Sequence, residues 1–191
     1  MDSITILDKI VPIAFMVGTG GREADLDRDA LRAGVRAMAE LIDSCAWPER
    51  YRAAFLMMNK IVFFAGKVMV DGYLMDRPCC DQDDAIFYWE AEEFMRNTDA
   101  DVRANTFFHD CWHVVQFRDA GNRYAQGRAE QVGREVDAIS HQIEVARTLG
   151  CDDREIEFLQ KFQSDQRRVI ARLDEGVEQL SHPAGAMTAH V

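Results

Sequence analysis

No apolar run in these 191 residues is long enough to cross a bilayer: Ile61 to Ala65 is broken by Gly66, and charges follow soon after. A spanning helix needs about 20 consecutive apolar residues, so a membrane-embedded chain is not expected. Positive charge is in deficit. The 22 Lys plus Arg against 33 Asp plus Glu give a net charge of −11, and a surface of that sign repels phosphate backbones and anionic headgroups. Neither nucleic acid nor membrane is an expected partner. Cysteine is sparse and odd in number, with Cys45, Cys79, Cys80, Cys111 and Cys151. The adjacent pair is no disulfide-framework spacing, which points to reduced thiols and a cytoplasmic setting. Met1-Asp2-Ser3 puts no basic stretch ahead of the apolar Ile10 to Val17, which argues against a secretory leader. There is no internal repeat, low-complexity tract or Pro/Ser-rich linker; the one terminal shift in composition is the small-residue tail from Ser181 to Val191. What is present, 48% hydrophobic and 29% charged, is the composition of a single soluble globular domain covering residues 1–191.

Helical signals dominate. Asp27 and Asp29 ahead of an apolar repeat at threes and fours predict a helix over Ala30 to Ile42, and Pro48 suits the first turn of another that reaches about Met58. Ile61 to Ala65, Gly66, then Lys67 to Val70 before Asp71-Gly72 is rich in β-branched and aromatic residues, and reads as one bent strand or a hairpin. Ala85 to Trp89 suits a short strand, unless Trp89 to Met95 begins a helix. Farther on, Thr98-Asp99-Ala100-Asp101 has capping-box character before a helix over Val102 to Arg118. A second runs from Gly127 to Leu149 and ends at Gly150. A third opens at Asp152-Asp153 and reaches about Leu180, with Pro183 beyond it. The expected fold class is α+β, mostly helical.

The chemistry concentrates in Phe107-Phe108-His109-Asp110-Cys111-Trp112-His113-Val114-Val115-Gln116. Two histidines four apart on a helix differ by only about 40° in azimuth and sit one turn apart, so both imidazoles can reach one ion. On a helical wheel, Asn105, Thr106, His109, His113 and Gln116 make a polar, uncharged stripe, while Ala104, Phe107, Phe108, Cys111, Val114 and Val115 cover most of the rest. Such a helix is expected to be buried on both sides, and buried imidazoles need partners. On the next helix Val132, Val136, Ile139, Ile143 and Ala146 define an apolar face. Glu135 projects within that arc, near Ile139 and Gln142. A carboxylate aimed into a core is costly unless it meets a cation. A short connection around Gly121-Asn122 makes the two helices antiparallel neighbours, so His109, His113 and Glu135 can converge. Two imidazoles and one carboxylate suit Zn²⁺ with a fourth position open.

His109-Asp110-Cys111-Trp112-His113-Val114-Val115-Gln116, followed by Glu135-Val136-Asp137-Ala138, resembles the HExxHxxQ helix and ExxA helix of zincin-type metallopeptidases. Phe107-Phe108 stands where such proteins carry apolar residues before the first histidine. The resemblance covers about residues 85 to 150. It implies a small β-sheet packed on a metal-binding helix pair, Zn²⁺ as cofactor, and a peptide or small amide-type substrate hydrolysed by a metal-activated water. Where the family carries a glutamate as general base, this chain has Asp110, shorter by one methylene, about 1.5 Å of reach. The resemblance assigns Asp110 the proton-accepting role, with Gln116 and Tyr124 as auxiliary candidates; Tyr124 and His141 are the candidates for the oxyanion. His141 faces away from Glu135 on the wheel and is expected on the solvated surface.

Other readings compete. Asp110-Cys111-Trp112-His113 is a carboxylate-x-x-His step of the kind di-iron bundles use, with Glu90, Glu92, Glu93 and Glu135 available to bridge, but a second inward-facing step is missing. The His109-Asp110 doublet of metal-dependent phosphohydrolases needs another histidine upstream, and His109 is the first in the chain. Gly18-Thr19-Gly20-Gly21 lacks a following Lys-Ser/Thr, and Glu23 would fill the sixth position of a GxGxxG pattern, so a turn is expected there rather than a phosphate loop. Leu56-Met57-Met58 reads as core. Asp81 to Asp84 and Asp152-Asp153 read as solvated loops and caps rather than calcium sites. The substitution at Asp110 also suits a catalytically impaired scaffold that retains its metal for stability.

Overall fold

The computed structural model describes residues 2–70 and 72–174; the expectations for Leu180, Pro183 and the tail lie outside the described residues. The chain begins with β1 (Asp2–Ile6) and β2 (Lys9–Val17), paired antiparallel across the two-residue turn Leu7-Asp8. Both turn residues have positive φ, 49° and 70°, a geometry that favours Asn-Gly or Asp-Gly. Tertiary contacts offset that cost. Leu7 is buried, and its N–H donates to Asp43 Oδ1 at 2.6 Å.

Two helices follow, α1 (Arg28–Ser44), capped by Asp27 accepting from the Ala30 N–H, and α2 (Glu49–Phe55). Then come β3 (Lys60–Ala65), β4 (Val68–Val70), β5 (Tyr73–Met75), β6 (Cys79–Asp81) and β7 (Ile86–Glu90). The main sheet has the order β1-β2-β3-β7-β6, with β2, β3 and β7 parallel at its centre and antiparallel strands at both edges. A central strand covered on both faces reads as a continuous apolar run. In β3, Phe63 packs on Trp89 and Phe94 on the helical side, while Phe64 meets Val68, Val70 and Tyr88 on the other.

The stretch from Ile61 to Val70 is therefore neither one strand nor a hairpin. β3 belongs to the main sheet, and β4 pairs with β5 in a separate two-stranded sheet. The break is at Gly66 (φ 85°), where the Gly18–Gly21 loop closes onto it. Gly18 N–H donates to Ala65 O at 2.9 Å, Thr19 and Lys67 exchange backbone hydrogen bonds, and a Cβ on Gly21 would lie 2.0 Å from Ala65 O. These glycines serve a close approach of two backbones. Asp81 accepts from the N–H groups of Asp83 and Asp84, and Asp152 from that of Glu155, as a loop and a cap do.

After β7 the chain is helical: α3 (Ala91–Arg96), α4 (Ala100–Asp119), α5 (Arg128–Leu149) and α6 (Asp153–Asp174). Glu90 ends the strand and caps α3 by accepting from the Glu93 N–H, so both halves of the ambiguous Trp89 to Met95 segment are realised. Asp99 occupies the N-cap of α4 without a side-chain capping bond; the expected capping box does not form. Gly150 takes the left-handed conformation at the end of α5. α4 is the spine, packed against α1, α2, α5 and β6, with Phe107, Phe108 and Cys111 fully buried. Near its start, Arg103 is buried, donates to Phe94 O and lies over the Phe94 ring. Gly34 of α1 makes room, since a Cβ there would meet Arg103 Nη1 at 2.5 Å and the Phe94 ring at 2.6 Å. None of the five cysteines forms a disulfide. Among the described residues no helix is long and apolar enough to cross a membrane.

Candidate metal centre

Three side-chain contacts fix how α4 and α5 meet. His109 reaches Gln142, Trp112 reaches Asp137, and Gln116 reaches the Arg134 carbonyl. Positions rise along one helix as they fall along the other, so the helices are antiparallel. His109 and His113, one turn apart, face α5 where Glu135 projects between them. His113 Nε2 lies 3.2 Å from Glu135 Oε1, and His109 Nε2 lies 3.4 Å from Oε2. The two Nε2 atoms are 3.1 Å apart. One ligand atom from each residue falls within 4.8 Å of the others.

The far side of each imidazole explains its orientation. His109 Nδ1–H donates to Gln142 Oε1 at 3.0 Å, and His113 Nδ1–H donates to Gln116 Oε1 at 2.8 Å. With the protons on Nδ1, both Nε2 lone pairs and a carboxylate face one point. Three electron-rich atoms so placed repel one another unless a cation or proton lies between them; ligating histidines are oriented by such outer hydrogen bonds. Gln116 is itself fixed, because its Nε2 donates to Arg134 O and to Asp137 Oδ2, each at 2.8 Å. Asp137 Oδ2 also accepts from Trp112 Nε1 at 2.8 Å.

Electrostatics agree with the geometry. Burial pushes the Glu135 carboxyl up, but the facing His109 and His113 imidazoles outweigh it and hold the group well below the usual carboxylate range. Burial pulls His113 down, yet its bond to Glu135 and the nearby carboxylates leave it above its ordinary value. The cluster draws in positive charge. Beside it, burial raises the Asp110 carboxyl, opposed by the neighbouring imidazoles and by the Cys80 thiol that hydrogen-bonds to it.

The centre opens into a cleft of about 880 Å³ between the β5–β6 connection, the start of α5 and α6. Asp110 lines it, 8% exposed. Tyr124 also lines it, with its ring packed on Phe117. Gln116 stands behind His113 rather than in the cleft. His141 faces away from Glu135 as expected but is only partly exposed: its ring lies 4.0 Å from that of Trp112 and contacts Tyr51. The aromatic surface of α2 and α4 covers it, which a wheel of α5 alone does not reveal. Gln142 and Asp137 were not among the candidates. Gln142 shares the Glu135 face, a signal for an orienting role; Asp137 lies on the polar side and gives none.

Glu90 caps α3 and Glu92 pairs with Arg96, so neither supplies a bridging carboxylate. Among the described residues, His109, His113 and Glu135 form the one group of three His, Cys, Asp or Glu side chains at ligand spacing. A dinuclear iron site does not fit. Comparison with known protein families, curated proteins and solved structures finds no match for this chain.

Proposed function

We propose that the chain is a zinc-dependent hydrolase of zincin type, acting on a peptide or small amide-type substrate in the cleft. The observation that carries this reading is the convergence of His109 Nε2, His113 Nε2 and a Glu135 carboxylate oxygen, with both Nδ1 atoms tied to amide oxygens behind them. Two nitrogen donors and one oxygen donor suit Zn²⁺, and all three side chains line the cleft. A divalent ion bound there supplies Lewis acidity, lowering the pKa of water and polarising a carbonyl.

The chain's own residues supply the rest. Gln142 and Gln116 hold the imidazole tautomers, and Asp137 with Trp112 holds Gln116. Asp110, on the cleft wall next to His109, is the proton acceptor in this reading, with Cys80 fixing its carboxylate. Tyr124, which also lines the cleft, is the candidate donor to a developing oxyanion in this reading.

One observation favours a second reading, a metal-binding scaffold without turnover. Asp110 is short for a general base, and its carboxylate is engaged by Cys80. Elemental analysis and an amide-hydrolysis assay on Asp110→Asn separate the two. The hydrolase retains about one zinc per chain and loses turnover in that variant; unchanged turnover removes Asp110 from the chemistry, and wild type with zinc but no hydrolysis is the scaffold.

A further inference from the structure

Asp137 stands where two networks meet. Its Oδ2 accepts from Trp112 Nε1 and from Gln116 Nε2, each at 2.8 Å, and Gln116 Oε1 in turn accepts from His113 Nδ1 at 2.8 Å. Its other oxygen, Oδ1, lies 3.5 Å from His141 Nε2. His141, Asp137, Gln116 and His113 thus form one continuous chain of polar contacts, which joins an imidazole outside the metal centre to one inside it.

The surroundings of His141 decide where its protons go. Tyr51 of α2 has a single hydroxyl hydrogen, and it is donated to Glu144; the same oxygen accepts from Arg50 Nη2 at 2.7 Å. What it offers His141 Nδ1, 3.0 Å away, is therefore a lone pair. Asp137 offers Nε2 a carboxylate oxygen, which only accepts. Both ring nitrogens face acceptors, an arrangement that the imidazolium satisfies and the neutral ring leaves half filled. Burial opposes that charge. Trp112 of α4 covers the ring at 4.0 Å, and burial pulls its pKa below the ordinary histidine value, opposed by Asp137 and Glu144 of α5 and reinforced by Arg50 of α2. A histidine held in this balance changes charge on the acid side of neutrality.

We infer that His141 is a proton-operated regulator of the metal centre: as the imidazolium it shares the Asp137 charge with Gln116 and weakens zinc binding, and as the neutral ring it leaves that charge to Gln116 and strengthens it. The inference rests on the metal centre of the hydrolase reading and adds a regulation to it. With Asp137 unshared, Gln116 is polarised more strongly, its Oε1 accepts more strongly from His113 Nδ1–H, and His113 Nε2 becomes the better donor to an ion. Reciprocity then requires zinc to make His141 easier to deprotonate by the same factor.

The test follows the His141 ring resonances by NMR across pH in the full chain, metal-free and with saturating zinc. Zinc should lower the His141 midpoint by about half a pH unit, and zinc affinity measured against His141→Gln should be about threefold higher above that midpoint than below it. The midpoint is read in wild type, so this arm stands whether or not His141→Gln folds. Gln116→Ala, or Gln116→Leu where the smaller residue disturbs packing, breaks the chain and leaves His141 as far from the ion as before; zinc should then move the midpoint less than half as far. An undiminished shift in both Gln116 variants overturns the relay, because the field of the ion alone accounts for it. No shift in wild type that binds zinc overturns the regulation and leaves the centre standing. Wild type that binds no zinc is a different failure, that of the centre itself.

Discussion

His113 and His141 sit on opposite sides of the α4–α5 contact and reach opposite states. Around His113, both outer nitrogens of the pair are tied to glutamine oxygens, so the inner nitrogens point together at a carboxylate. Around His141, each nitrogen has an oxygen of its own, the Tyr51 hydroxyl at 3.0 Å and Asp137 Oδ1 at 3.5 Å, and the ring is walled in by Trp112. Tyr51 donates onward to Glu144, which Arg50 pairs at 3.0 Å. Both regions contain imidazoles and carboxylates. Only the first leaves lone pairs converging, and that surplus, rather than the residue types, marks it as the candidate site for an ion.

The largest test of this contrast is metal content. His113→Ala and Glu135→Ala should each bring zinc from about one equivalent to less than about a tenth, while His141→Ala keeps it; equal retention in all three would erase the distinction. Next is stability. An ion that binds only the folded state at about 100 times its Kd adds about 2.7 kcal/mol, and a domain of this size gains roughly 2–4 °C per kcal/mol. Chelation should therefore lower Tm by roughly 5–10 °C in wild type and His141→Ala, and leave His113→Ala unmoved. A thermal scan with and without chelator reads all three.

Smaller effects sharpen the role of the outer contacts. Gln116→Ala or Gln142→Ala should weaken zinc affinity about 10–100-fold without abolishing it, measured by competition with a chromogenic chelator. Affinity equal to wild type would mean that the tautomers are set some other way. On the opposite side, Tyr51→Phe should cost about 1 kcal/mol in urea unfolding with no change in zinc. The Tyr51 hydroxyl also gives that region a pH signature. Burial, then its bond to Glu144, pushes its pKa up to about 12. A phenol whose folded pKa is raised contributes stability that is full below its unfolded value near 10 and is lost as pH rises toward 12. Alkaline unfolding of wild type should therefore be steeper in that window than that of Tyr51→Phe.

Local geometry explains which parts were legible. A pair of histidines four apart is placed by the helix itself, and Glu135 stood out as an acid in an apolar arc, so the three converging side chains could be read without a fold. The orienting contacts could not. Asp137 serves Trp112 and Gln116 only once α5 lies on α4, and His141 is enclosed by Tyr51 from a helix about 90 residues earlier. The helices were recovered because their caps and periodicities are local, as at Asp27 and Gly150. β1 and β2 were not anticipated as strands because their turn, Leu7-Asp8, carries no glycine or asparagine and depends on Asp43 in α1. The partner of β4 was likewise hidden, since Gly66 could equally bend one strand or separate two sheets.

Gly34 has a reach well beyond its own helix. Alanine there would gain up to about 1 kcal/mol of intrinsic helix preference, yet its methyl group would collide with the Arg103 guanidinium and the Phe94 ring. Arg103 lies less than two turns before His109 on the same rigid rod. An absent methyl on α1 thus sets how closely that helix can lie against the start of the helix that carries both imidazoles.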